Sequence, residues 1–156
     1  MANKNLLGRC GLYCGICPVY RAYKDSREFQ KRIAKRHGCL PEEVRCEGCQ
    51  ALNDCGWSYE KEWGKNCQIL KCLNIKKLSF CYECAEYGNC RKFDKLARSC
   101  LELGIDLRKN LQRIRDGKVE EWLLEQDKKW RCPSCGNPIA VSSDFRNCHW
   151  CGHKLQ

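Results

Sequence analysis

Cysteines recur along this chain at the short spacings that let several thiolates converge on one metal ion. The most specific arrangement lies near the C-terminus. Cys132-Pro133-Ser134-Cys135-Gly136 and Cys148-His149-Trp150-Cys151-Gly152 are two C-x-x-C-G knuckles separated by twelve residues. Glycine after the second thiol lets backbone N–H groups turn toward the sulfurs and stabilise thiolate charge. Such a pair predicts a closed tetrahedral site of Cys132, Cys135, Cys148 and Cys151 on two β-hairpins, a rubredoxin-like zinc ribbon over residues 131–156. Four thiolates suit zinc, with iron the rival metal. Four thiols close the site, so His149 and His153 read as solvent-facing loop residues.

The N-terminal part carries Cys10, Cys14, Cys17, Cys46, Cys49, Cys55, Cys67, Cys72, Cys81, Cys84 and Cys90. Eleven thiols exceed two four-ligand sites and fall one short of three, and Cys39 or His37 could supply the twelfth ligand. Otherwise Cys39 and Cys100 read as small buried hydrophobes. Knuckles usually meet a pair distant in sequence. One grouping joins Cys46 and Cys49 to Cys67 and Cys72; another joins Cys81, Cys84 and Cys90 to a member of the opening cluster. The opening spacing, C-x3-C-x2-C from Cys10 to Cys17, also occurs in radical S-adenosylmethionine enzymes. The chain is too short for their barrel, which needs about 200 residues or more. A non-radical iron–sulfur cluster stays open as an alternative to zinc there, because Cys17-Pro18 is a ferredoxin-like pair. No thioredoxin-like βαβ setting surrounds a C-x-x-C, and no Ser/His/Asp set or phosphate-binding glycine loop is present. With only three histidines, no reaction is legible and the balance leans away from an enzyme.

Seventeen of 156 residues are cysteine, about 11% and above the level that marks a stapled scaffold. Without them roughly a third of the chain is apolar, a thin supply for one core. The N-terminus has no apolar run of signal-peptide length, and no stretch approaches the roughly 18 apolar residues of a membrane span. The reading is therefore a cytoplasmic protein with reduced thiols, and an odd cysteine count also fits metal better than disulfides. The formal charge of +10 is weak evidence for a nucleic-acid partner. Four zinc sites of four thiolates apiece, each worth about −2, would lower it to roughly +2.

The elements that must position these thiols are short and helical. Pro18 suits the first turn of a helix over 19–24. Residues 25–28 resemble a capping box, followed by Phe29, Ile33 and Ala34 at helical spacing, which predicts an amphipathic helix over 26–37. A short helix over 71–78 turns Leu73 inward. Residues 50–66, with Cys55, Trp57, Tyr59 and Trp63, look irregular. From Arg91 metal-type pairs cease: Phe93, Leu96, Ala97, Cys100 and Leu101 share a face. Asp106 caps a helix with Leu107, Leu111 and Ile114 inward, and residues 118–129 form another with Val119, Trp122 and Leu123 inward.

CGLYCGICPVY, the CEGC knuckle, the CQILKC pair, the FCYEC knuckle and GKVEEWLLEQDKKWRCPSCG together resemble a cysteine-rich family of unknown function, domain of unknown function 3795, over roughly residues 8–136. The resemblance implies zinc binding and brings no reaction with it. Many members carry Phe-Pro-Cys where this chain has Tyr87-Gly88-Asn89-Cys90, and Cys39 and Cys55 stand outside the pattern. The expectation is a small metal-stapled α+β protein, mostly α and irregular loops around cysteine clusters. It divides into a metal-binding domain over 8–90, a helical segment packing on it over 91–130, and the ribbon over 131–156. Its expected role is a structural-zinc binding or adaptor module with several zinc ions and a macromolecular partner, a protein rather than nucleic acid, away from membranes. The alternatives are an iron–sulfur redox protein or enzyme, and a nucleic-acid binder using the basic helix with Trp57 and Trp150.

Overall fold

The computed structural model describes residues 2–54 and 67–155, the side chains of 52–54 excepted. The expectations for Cys55, Trp57, Tyr59 and Trp63 lie outside the described residues. Regular structure among the described residues consists of α1 (Pro18–Asp25), α2 (Arg27–His37), α3 (Gln68–Lys76), α4 (Arg91–Leu101), α5 (Leu107–Arg115) and α6 (Val119–Lys129), linked by short 3-10 turns. Ser26 caps α2 by accepting from the Phe29 N–H at 3.1 Å, and Asp106 caps α5 by accepting from the Lys109 N–H at 3.0 Å. Gly38, at φ +63°, ends α2. Helix α3 starts three residues before its expected position, directly after Cys67, and carries Cys72.

Three helices begin on the residue after a cysteine: α1 after Cys17, α3 after Cys67 and α4 after Cys90. Each of these cysteines therefore occupies the N-cap position, at the positive end of a helix dipole. The helical half covers the opening cysteine loop. Leu6, Leu7, Tyr13, Ile16 and Tyr20 share one buried cluster with Phe93, Leu107, Leu111, Ile114, Trp122 and Leu123. Asn110 joins the two halves. Its Nδ2 donates to the Gly11 carbonyl at 2.9 Å, and its Oδ1 accepts from Trp122 Nε1 at 3.1 Å. Tyr13 meets Trp122 edge to face with centroids 6.2 Å apart.

A second cluster forms between α1 and α2 from Val19, Ala22, Phe29, Ile33, Ala34 and Val44, and includes Ala140. The C-terminal segment lies against it. The Val141 N–H donates to the Ile16 carbonyl at 2.9 Å, Phe145 packs edge-on against Phe29 at 5.5 Å, and Arg36 pairs with Asp144.

The α+β class with a zinc ribbon is overturned. No β-strand occurs among the described residues, and the fold is essentially all-α. Extended pairing is limited to isolated bridges, of which Arg131 with Pro138, Ser142 with Phe145, and Asn147 with Lys154 lie in the C-terminal segment. The physical reason is visible in the backbone hydrogen bonds. The expected hairpins need short strands from residues 137–141 and from the residues before Cys148, yet Ala140 is buried between α1 and α2 and the Val141 N–H is engaged by Ile16. A backbone group bonded elsewhere cannot extend a ladder.

Candidate metal centre

Each C-terminal knuckle is a tight loop closed by its own backbone. The Cys132 N–H donates to the Asn137 carbonyl at 2.9 Å and the Gly136 N–H to the Cys132 carbonyl at 2.8 Å. The second knuckle repeats this, with Cys148 N–H to the His153 carbonyl at 2.8 Å and Gly152 N–H to the Cys148 carbonyl at 2.9 Å. Gly136 and Gly152 occupy the same left-handed region, at φ +72° and +75°, which only glycine adopts freely.

The two loops face each other and bring Cys132, Cys135, Cys148 and Cys151 into one group, their sulfurs mutually within 4.8 Å. Cys132 Sγ lies 3.7 Å from Cys151 Sγ, and Cys135 Sγ lies 3.8 Å from Cys148 Sγ. A tetrahedron with metal–sulfur bonds of about 2.3 Å requires sulfurs about 3.8 Å apart. The donor set and its spacing therefore fit one tetrahedral thiophilic ion. The thiols of the set differ in how readily they ionise without a cation. The backbone N–H groups of Cys135, and secondarily Ser134, hold the Cys132 thiol down to about 6. Burial pushes Cys148 up to about 12 against the pull of the Cys151 and Trp150 N–H groups. Four thiolates this close need a cation between them to coexist.

The surroundings attach the site to the helices. The His149 side chain is 3% exposed, not solvent-facing as expected. Its Nε2 lies 2.7 Å from Asp25 Oδ2, its ring stacks on Phe29 at 4.4 Å, and Arg21 Nε stands 3.6 Å from the same carboxylate. Sequence reasoning missed this contact because Asp25 and Phe29 are more than a hundred residues away and nothing local announces them. On the other side Arg131 donates to the Gly136 carbonyl at 3.0 Å and pairs with Asp127 at 2.7 Å. Trp150 is half-exposed, with its Nε1 on the Pro138 carbonyl at 2.9 Å.

The N-terminal thiols gather in two adjoining neighbourhoods, joined where Cys10 feels Cys81 and Cys67. Cys14 and Cys49 share a hydrogen bond: it is the first cause holding Cys14 well above the usual thiol range and Cys49 down to about 7, where Arg9 assists. Cys10, driven upward by burial, feels the charges of Cys49, Cys81 and Cys67, and Cys14 that of Cys17. Cys46 accepts from the Gly48 N–H at 3.4 Å and packs, like Cys39, against the cluster between α1 and α2. Cys100 is buried in the main core, as expected. The second neighbourhood centres on Cys81, pushed up to about 12 by burial first and then by Cys90, Cys72, Cys84 and Cys67. Among the described residues, the C-terminal set alone has its ligand atoms gathered at single-ion spacing.

No helix among the described residues is long and apolar enough to cross a membrane. No curated protein and no solved structure matches the chain significantly. The model of the family described as "Protein of unknown function (DUF3795)" matches residues 6–95, more than half of the chain, and the protein belongs to that cysteine-rich family.

Proposed function

We propose that the protein is a zinc-binding module in which the metal serves structure, and that it acts by presenting a surface to a macromolecular partner. Cys132, Cys135, Cys148 and Cys151 would hold one zinc ion. The observation that carries this reading is the pair of sulfur separations, 3.7 and 3.8 Å, inside a closed set of four thiols. With all four positions taken by protein, no coordination site is left for substrate, so the ion would contribute folding energy rather than catalysis. His149 supports a structural role, since it bonds Asp25 instead of joining the ligand set.

The test is metal analysis of the full chain purified without oxygen, beside Cys151→Ser. The expected result is zinc in the wild type and one zinc fewer per chain in the variant. Equal metal in both proteins, or iron leaving with Cys151→Ser, rejects the assignment.

A further inference from the structure

A cavity of about 330 Å³ lies between the C-terminal half of α3, the 3-10 turn Cys81–Glu83 and the start of α4. Its walls include four thiols: Cys72 from α3, Cys81 and Cys84 from the turn, and Cys90 at the head of α4. None of these belongs to the C-terminal site. We propose that Cys72, Cys81, Cys84 and Cys90 form a second thiolate-ligated metal centre, distinct from the C-terminal one.

The placement resembles ligation more than packing. Cysteines serving as small hydrophobes bury their sulfur in apolar surroundings, as Cys100 does. Here the four line one open volume at the edge of the main core, Cys81 and Cys90 packing against the same cluster as Cys100, and a lysine attends Cys84. Lys76 Nζ donates to Cys84 Sγ at 3.2 Å. Lys76 is fixed in turn by an ion pair with Glu86. Cys90 immediately precedes α4, whose first residues Arg91, Lys92 and Phe93 also line the cavity. The backbone is also prepared: the Cys84 N–H donates to the Cys81 carbonyl at 3.1 Å, closing the C-x-x-C turn, and the Cys81 N–H is held by the Arg9 carbonyl at 3.1 Å.

Spacing separates this centre from the first. No three of the four sulfurs lie mutually within 4.8 Å, whereas the C-terminal set has already converged. A single ion would require the four sulfurs to draw closer; an iron–sulfur cluster, whose thiolates sit on separate irons, asks for a wider spacing than one ion does. Both demand the same four soft ligands. The grouping replaces the expected member of the opening cluster with Cys72, which the sequence reading groups with Cys46, Cys49 and Cys67, as the fourth partner of Cys81, Cys84 and Cys90.

The experiment uses the full chain purified without oxygen and measures zinc, iron and acid-labile sulfide per chain. The wild type is compared with Cys84→Ser/Cys90→Ser and with Cys151→Ser. The expected result is that the double variant loses a metal complement that Cys151→Ser keeps, and keeps the zinc that Cys151→Ser loses. Loss of zinc identifies a mononuclear centre; loss of iron and sulfide with visible absorbance identifies a cluster. Either supports the site, and an unchanged metal content in the double variant overturns it. To separate lost ligation from misfolding of that variant, the wild type is also alkylated with a maleimide and mapped by mass spectrometry. Cys84 and Cys90 should be protected until a chelator is added, and equal labelling before and after chelation rejects the centre.

Discussion

His149 stands between a ligand cysteine and a tryptophan, in a position where a metal site could use it. The structure turns it away, onto Asp25 and the face of Phe29. A buried polar pair of this kind costs about 1–3 kcal/mol when one partner is removed, because the other loses its hydrogen bond without regaining water. His149→Ala is therefore expected to lower unfolding stability by that order while leaving the zinc content of the C-terminal site unchanged. Denaturant unfolding and metal analysis on one sample check both halves, and a loss of zinc would place His149 in the ligand set. Asn110 presents the same physics in the helical half. Asn110→Ala would strand the Trp122 N–H and the Gly11 carbonyl together, so a loss of about 2 kcal/mol or more is expected by the same measurement.

At the scale of elements, the contact between the opening cysteine loop and α5 depends on Gly11. Its φ is +86°, and a Cβ there would stand 2.7 Å from the Leu107 carbonyl and 2.9 Å from Leu111 Cγ. Gly38 has a similar φ of +63° with open space around it. Gly38→Ala should cost about 1–2 kcal/mol, the left-handed penalty alone. Gly11→Ala should cost distinctly more, because α5 must also shift. Equal losses in thermal or denaturant unfolding would mean that α5 does not pack on the loop as described. The helices themselves were largely legible in the sequence: Asp106 caps where its residue type predicts, Ser26 caps α2 one residue inside the expected start, and apolar spacing located α2, α4, α5 and α6. What periodicity could not convey is which loop a helix covers, since Asn110 and Gly11 are joined only by the tertiary fold.

For the whole molecule, the C-terminal site was legible because all four ligands lie within two local knuckles, whose internal hydrogen bonds set the sulfur positions. The N-terminal groupings were not, because they depend on how α3, α4 and the opening loop pack. The missing ribbon has the same origin: a local pattern that favours hairpins yielded to contacts with α1 and α2. Those contacts give the C-terminal site a role in the fold. Ala140, Phe145 and His149 cover the Phe29 face of α2, and Arg36 reaches Asp144. Structural zinc sites contribute about 10–16 kcal/mol to folding in small zinc peptides, whereas a solvent-exposed pair such as Arg36 with Asp144 adds about 0–1 kcal/mol. Loss of the proposed zinc ion, by Cys151→Ser in the full chain, should therefore release the segment from α2. Amide hydrogen exchange should rise across 131–155 and at the end of α2, while α4, α5 and α6 keep their protection through the core around Leu107, Leu111 and Trp122. If 131–155 stays protected in the variant, docking holds the segment in place and the metal does not.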